Sequence, residues 1–178
     1  MKMNDEPRVL ISEEQIRRRV KELGQEISED YRGQELTVIC ILKGSFIFFA
    51  DLIREIDVPL SCEFMGLSSY GSKVVSSGEV KLTLDLTEPL ACKNVLIIED
   101  IVDSGLTMQY LYNTLMSRRP ASVKVCSLLL KPESLKCDVA VNYIGFKLGS
   151  EFVIGYGLNY AGRYRHLPYV GLFEHEQH

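Results

Sequence analysis

The sequence predicts an α/β fold: a twisted, mainly parallel central sheet flanked by helices. Strand-like apolar runs alternate with helical patterns along the chain, the order expected of a parallel sheet with crossover helices. The runs at 36–42, 94–98 and 123–130 are apolar without strict alternation, as strands buried on both faces require. At 178 residues, with 46% hydrophobic and 25% charged residues, the chain has the length of about one domain and an ordinary globular composition. A chain of this size buries roughly 70% of its unfolded surface and needs no metal or disulfide to fold. Collagen-like, disordered and coiled-coil classes are excluded by composition. A net charge of −4 makes the chain a poor general binder of nucleic acid or anionic membrane.

Each element follows from its own pattern. Ser12-Glu13-Glu14-Gln15 has the form of a capping box, with Ile16, Val20, Leu23 and Ile27 behind it at helical spacing, so a helix starts here and ends before Gly33. The first buried strand is 36–42 (LTVICIL). A Lys43-Gly44-Ser45 turn leads into a helix over 46–56, and 60–69 is the next strand. Residues 70–78 (YGSKVVSSG) are rich in glycine and serine, have no helical face and are expected to form a mobile loop. The 79–86 segment alternates, with Val80, Leu82, Leu84 and Leu86 on one face. A second buried strand, 94–98, ends abruptly at Glu99-Asp100, followed by a helix over 106–116 and a third buried strand over 123–130. A short strand at 152–154, the glycine-rich GYGLNYAG stretch and a loop-like tail from Arg163 complete the chain.

Residues 1–8 are polar with no apolar stretch behind them, unlike a secretory signal. The most apolar region, 36–53, is interrupted by Lys43, Gly44, Ser45 and Asp51, whereas a membrane span needs about 20 nearly continuous apolar residues. Cys40, Cys62, Cys92, Cys126 and Cys137 are odd in number and form no C-x-x-C pair. Cys40 and Cys126 lie in apolar runs, where a reduced thiol behaves as a small core residue. A cytoplasmic location is expected.

In open parallel sheets, ligands bind beyond the carboxyl ends of the strands. The turns at 43–45 and 99–107 are therefore the candidate sites. The second turn begins with Glu99, Asp100 and Asp103, then Ser104, Gly105 and Thr107 open a helix. A helix start offers unpaired N–H groups and a positive dipole end, and here two hydroxyls as well, which suit a phosphate. Gly105 allows a close backbone approach. Three carboxylates beside a phosphate would repel it unless vicinal hydroxyls or a hydrated Mg²⁺ lay between them. The combination points to a sugar phosphate with free hydroxyls. A single acidic residue here would more often be a helix cap; three followed by Ser-Gly-x-Thr are not explained by capping alone.

The histidines, His166, His175 and His178, all lie near the C-terminal end. A carboxylate, Asp103, is therefore the better acid or base. There is no G-x-x-x-x-G-K-[ST], and Gly155-Tyr156-Gly157 fails as a dinucleotide fingerprint because Tyr160 occupies the third glycine position. No cysteine–histidine spacing suits zinc.

The run Glu99-Asp100-Ile101-Val102-Asp103-Ser104-Gly105-Leu106-Thr107 resembles the phosphoribosyl-diphosphate (PRPP) signature of type I phosphoribosyltransferases. Four further segments resemble the hypoxanthine-guanine branch: Leu42-Lys43-Gly44-Ser45, Ser68-Ser69-Tyr70-Gly71, Leu130-Lys131-Pro132, and 152–160 (FVIGYGLNY) with Arg165 beyond. They occur in the family's order between about residues 10 and 172. The resemblance implies one domain over 1–178, with a core of about 34–150 and a small hood from about 1–20 and 150–178. It also implies the reaction of a 6-oxopurine with PRPP to give a nucleoside 5′-monophosphate and pyrophosphate, with Mg²⁺ as cofactor and a homodimer or homotetramer as the assembly.

By the same resemblance, Asp103 is the acid/base facing purine N7, and Glu99 and Asp100 hold the ribose hydroxyls and metal. Asp103, Ser104, Gly105, Leu106 and Thr107 cradle the 5′-phosphate. Lys43, Gly44 and Arg165 hold the pyrophosphate, and the family often has a strained peptide bond before that lysine. Ile101, Lys131, Phe152, Val153 and Asn159 form the purine side: Lys131 reads the 6-oxo group and N7, Phe152 stacks, and the Val153 carbonyl accepts from the ring edge. Ser69 and Tyr70 open a lid over the reacting centre. Read without the family, Lys43 and Lys131 could be ordinary strand-end lysines, Phe152 a core aromatic and Arg165 a surface residue. One departure is specific: the family usually has aspartate where this chain has Asn159, and that aspartate helps hold a second Mg²⁺ through water. An amide oxygen still accepts from metal-bound water but adds no charge, so a higher Mg²⁺ requirement is expected.

Three other readings compete. An RNA-binding regulator on the same scaffold is opposed by the acidic charge and the lack of a basic aromatic patch. A sibling enzyme preferring xanthine depends on pocket details near 152–159. A phosphoacceptor receiver domain would have its acidic pair near the N-terminus and its acceptor aspartate on a central strand, a layout that Glu99-Asp100 as the acidic pocket does not fit.

Overall fold

The computed structural model describes residues 7–69 and 80–173. In chain order the elements are β1 (Arg8–Ile11), α1 (Glu13–Asp30), β2 (Leu36–Leu42), α2 (Phe46–Ile53), β3 (Leu60–Ser69), β4 (Val80–Leu84), β5 (Asn94–Val102), α3 (Leu106–Met116), β6 (Ser122–Leu130), a 3₁₀ turn (Pro132–Ser134), β7 (Tyr143–Lys147), β8 (Val153–Ile154) and β9 (Val170–Leu172). Six strands form the central sheet in the order β4-β3-β2-β5-β6-β7, parallel except for β4 against β3. A second, antiparallel sheet has the order β1-β9-β8 and draws its strands from both ends of the chain. This is the α/β architecture expected from the sequence, with the small sheet in the place of the hood.

Both faces of the central sheet are covered, which explains the non-alternating apolar runs. Successive side chains of a strand point to opposite faces. Val38, Cys40, Leu96 and Ile98 pack with Ile16, Val20, Leu23 and Ile27 of α1 and Phe48, Phe49 and Leu52 of α2. Ile39, Ile41, Val95, Ile97 and Val125 pack on the other side with Met108, Leu111 and Leu115 of α3. Helix α1 starts as its capping box requires: Gln15 N–H donates to Ser12 Oγ at 3.2 Å and Ser12 N–H to Gln15 Oε1 at 2.8 Å.

Several boundaries differ from the sequence expectation. Helix α2 ends at Ile53 rather than 56, where Glu55 N–H closes a tighter bond to the Leu52 carbonyl at 3.0 Å and the chain turns towards β3. Strand β5 runs on to Val102 instead of stopping at 98. Its ladder with β6 continues through Glu99↔Ser127, Ile101↔Leu129 and Val102↔Leu130, because backbone pairing is indifferent to the acidic side chains. Glu99 and Asp100 thus belong to a strand end, not to a turn. The common apolar face expected for 79–86 is broken: the register shifts opposite Gly66/Leu67, so Leu82 packs against the core while Leu84 is exposed. Strands β1, β7 and β9 were not anticipated, and β9 lies in the tail read as a loop. No helix among the described residues is long and apolar enough to cross a membrane.

Candidate active site

Because β2, β5 and β6 run parallel and in register, their carboxyl ends emerge at one edge of the sheet. A cleft of about 290 Å³ opens there, lined by Leu42 at the end of β2 and Gly44 after it, by residues 99–105, and by Thr107 and Met108 of α3. Both turns singled out from the sequence contribute to it.

The wall formed by α3 has the geometry of an anion cradle. Gly105 caps the helix at φ +80°, in the left-handed region that favours glycine. The first backbone bond of this helix is Gln109 N–H to the Gly105 carbonyl at 2.8 Å. The N–H groups of Leu106, Thr107 and Met108 precede it, where helix geometry supplies no acceptor. Leu106 is exposed and its side chain is not part of the cleft lining. Behind the cradle, a Cβ on Gly105 would lie 3.0 Å from Cys137 Sγ and 3.2 Å from Leu135 Cδ2, so the 135–139 segment fixes the loop from outside. Lys136 N–H reinforces it by donating to the Ser104 carbonyl at 2.9 Å.

The floor is acidic. Glu99 is buried beside Asp100, and Asp100 N–H donates to Glu99 Oε1 at 3.2 Å. Burial, and then the neighbouring Asp100 charge, push the Glu99 carboxyl well above the usual range. Asp100 is also raised by burial, against the opposing hydrogen bonds from its surroundings and the Arg165 charge. Such a pair gains from hydroxyl donors or a cation brought to it. Asp103 lies at the exposed lip, with Oδ2 3.5 Å from Nζ of the buried Lys131. Lys131 is anchored through its own N–H to the Val102 carbonyl at 3.0 Å. A buried lysine facing a carboxylate is not an ordinary strand-end lysine. Lys43, by contrast, is exposed.

The turn after β2 is closely packed. The Leu42–Lys43 peptide bond is cis. A Cβ on Gly44 would lie 1.6 Å from Asp100 Oδ2, and one on Gly157 would lie 2.0 Å from the Gly44 carbonyl oxygen. These two glycines let the 43–45 turn, the acidic strand end and the 155–158 turn touch. Arg165 Nη1 donates to the Gly157 carbonyl at 2.5 Å, and Gly157 N–H donates to the Arg165 carbonyl at 2.9 Å.

The remaining purine-side residues stand on the small-sheet side of the molecule and do not line this cleft. Val153 is buried in β8. Phe152 is 51% exposed, so it is not the core aromatic its short apolar strand would suggest. It meets Tyr160 edge to face at 5.9 Å and Phe173 at 5.9 Å. Asn159 is half-buried beside Tyr160. Ser69 ends β3, whereas Tyr70 and the rest of the expected lid, 70–78, lie outside the described residues. Sequence reasoning missed the Tyr156–Asp51 hydrogen bond, the backing by Cys137 and the Tyr160–Phe173 ring pair. None has a local pattern, although Gly157 was conspicuous as part of a failed fingerprint.

Residues 11–161 match the phosphoribosyl transferase domain family. The chain is 47% identical over 174 residues to the hypoxanthine-guanine phosphoribosyltransferase of Bacillus subtilis strain 168, covering 98% of this chain and 97% of that one. It is 48% identical over 165 residues to the hypoxanthine phosphoribosyltransferase of Salmonella typhimurium, covering 92% and 93%. Among solved structures, a hypoxanthine-guanine phosphoribosyltransferase from Bacillus anthracis, with a HEPES molecule in its active site, matches with a TM-score of 0.91 at 44% identity, covering 95% of this chain and 100% of that one.

Proposed function

The chain belongs to the phosphoribosyl transferase domain family, and from that premise we propose that it is a purine-salvage enzyme joining hypoxanthine, and guanine, to PRPP with release of pyrophosphate. The products are the nucleoside 5′-monophosphates IMP and GMP. The observation that carries this reading is the meeting, at one strand-end cleft, of the buried Glu99 with the neighbouring Asp100, a carboxylate–lysine pair and a glycine-capped helix start. The relatives, named for the same reaction, are similar over nearly the whole chain.

Breaking the bond from C1′ to pyrophosphate builds positive charge on the ribose, as in other oxocarbenium-like displacements. Glu99 and Asp100 accept hydrogen bonds from the ribose hydroxyls, which relieves their mutual repulsion. The N–H groups from Asp103 to Thr107, with the Ser104 and Thr107 hydroxyls, hold the 5′-phosphate through the α3 dipole and the donors of its first turn, the Leu106 N–H giving up its long 3.5 Å contact with Ser104 Oγ. Lys43, Gly44 and Arg165 hold the leaving pyrophosphate. Lys131 reads the 6-oxo group and N7, Phe152 stacks on the base, the Val153 carbonyl accepts from the ring edge, and Ile101 and Asn159 complete that side. Asp103 takes the N7 proton as N9 bonds to C1′. Ser69 and Tyr70 begin a lid that excludes water from the cation.

Mg²⁺ suits the donor set. Glu99 and Asp100 supply hard oxygens, and among the described residues no three His, Cys, Asp or Glu side chains converge into a cage. A cation held by few protein oxygens keeps its water and substrate ligands, as Mg²⁺ does. When bound, Mg²⁺ neutralises diphosphate charge, and Glu99, Asp100 and Asn159 would hold it directly or through water.

The chain acts as one domain, with a core of about 34–150 and a hood from about 1–20 and 150–178. The small sheet, joining β1 to β8 and β9, supports this division. A homodimer or homotetramer is the assembly that the family resemblance implies. Five unpaired cysteines suit a reducing cytoplasm. An ultraviolet assay of nucleotide formation from PRPP, with and without Mg²⁺, against hypoxanthine, guanine, xanthine and adenine tests the proposal. Mg²⁺-dependent turnover of the first two is expected. PRPP binding without turnover of any base would overturn it.

A further inference from the structure

The turn that carries Gly157 is held from a distance by one partly buried polar contact. Tyr156 donates its hydroxyl to Asp51 Oδ2 of α2 at 2.6 Å, and its side chain is only 5% exposed. Burial, and then the Asp51 hydrogen bond, keep the phenol protonated and therefore a donor. Tyr156 has φ +48°, between Gly155 at +93° and Gly157 at +100°. Glycine adopts such values freely, but a bulky residue does so only when its surroundings hold it there. On one side, Tyr156 N–H donates to the Leu167 carbonyl at 2.9 Å and Gly157 N–H to that of Arg165. On the other, Asp51 anchors the ring to α2.

Two contacts lead from this turn to the cleft. Gly157 accepts from the Arg165 guanidinium, and its Cα rests so near the Gly44 carbonyl that a side chain could not fit between them. Helix α2, which carries Asp51, begins directly after Gly44, with Ser45 as its cap. The Asp51–Tyr156 bond therefore spans the 43–44 turn and Arg165. Neither Asp51 nor Tyr156 lines the cleft.

We infer that Asp51 and Tyr156 are positioning residues for the diphosphate half of the site, their hydrogen bond setting the spacing between the 43–44 turn and Arg165. The inference rests on the proposed assignment of Lys43, Gly44 and Arg165 to pyrophosphate. The full-length chain and its Tyr156→Phe, Asp51→Ala, Asp51→Asn and Tyr156→Phe/Asp51→Ala variants are compared by steady-state kinetics with PRPP and hypoxanthine varied in turn. Thermal melts and direct PRPP binding by calorimetry accompany them. Tyr156→Phe and Asp51→Ala are expected to raise the KM for PRPP roughly five- to tenfold, with the KM for hypoxanthine changed less than about twofold. The double variant should be no worse than Asp51→Ala, because that substitution already removes the Tyr156 bond, together with the Asp51–Arg54 ion pair that Tyr156→Phe leaves in place. Asp51→Asn, which keeps an acceptor oxygen, should stay nearer to wild type than Asp51→Ala. A merely structural tie would lower the melting temperature, or raise both KM values together, and either pattern without the split overturns the inference. If the wild type binds PRPP and the variants bind it equally, only this inference fails. If the wild type neither binds PRPP nor turns over, the assignment of the cleft fails first.

Discussion

Asp103 combines two properties that an acid/base needs: it stands exposed at the lip of the cleft, and its carboxylate lies 3.5 Å from the buried Lys131 ammonium. Asp103→Asn keeps the size and an acceptor oxygen but cannot take a proton. Turnover should fall roughly 10²- to 10⁴-fold while PRPP binding, measured by calorimetry, stays near wild type. Equal turnover would remove Asp103 from the mechanism. Asn159 allows the opposite kind of test, because substitution there adds a charge. Asn159→Asp should reduce the Mg²⁺ concentration needed for half-maximal rate and tighten PRPP binding measured directly at limiting Mg²⁺; unchanged dependence on both would sink the expectation. At this scale the sequence was informative where residues are contiguous. Without any structure, the 99–107 run shows an acidic cluster beside a helix start of the kind that suits a phosphate. The pairing of Lys131 with Asp103 comes from β6 lying beside β5, and the sequence reading did not contain it: the resemblance only turned both residues towards the same purine nitrogen.

Among the elements, long and strongly patterned ones were legible and short ones were not. The capping box, the apolar stripe of α1 and the two-sided burial of β2 follow directly from residue order. Strand β5 was cut short in the sequence reading because acidic side chains look like the end of an apolar run. The ladder continues because a strand needs backbone partners, and Ser127 to Leu130 provide them. Strands β1 and β9 depend on each other for pairing, so neither has a local signal. A further tie between elements fixes the end of α1. The Lys124 ammonium, at 2.8 Å, and then the Tyr143 hydroxyl hold the Asp30 carboxyl below its ordinary value of 3.8. A carboxyl lowered in the folded state contributes stability that is present above the unfolded value and lost as the pH falls through the folded one. Because Asp30 is largely solvent-exposed, screening keeps the contribution small. Asp30→Asn should therefore lower the melting temperature slightly at neutral pH, and the difference from wild type should shrink as the pH falls below the ordinary value and vanish only below the lowered, folded-state one. A difference that persists in strong acid would mean that the contact acts through packing rather than charge.

At the scale of the molecule, a chain of net charge −4 is proposed to bind a polyanion, so neutralisation must be local: Lys43, Lys131, Arg165, the α3 dipole and Mg²⁺. That arrangement requires the 155–167 segment, which carries Arg165, to stay pressed against the sheet edge. Its two flanking strands, β8 and β9, are short, and β9 is completed on its other side by β1. The beginning of the chain thus supports a segment near its end. Ile11, at the close of β1, is buried in the same core cluster as Ile16, Val153 and Val170. Deleting residues 1–11 removes that side chain and leaves β9 with a single short partner. Losing one buried isoleucine costs about 2 kcal/mol, which for a chain of this length corresponds to a fall of about 4–8 °C in Tm. If the small sheet also holds Arg165 in place, the KM for PRPP should rise in the same variant, with the KM for hypoxanthine rising too because Val153 belongs to that sheet and Phe152 directly precedes it. A lower Tm with both KM values unchanged would show that the small sheet adds stability but does not set the site. An unchanged Tm would mean that the two chain ends are not energetically joined.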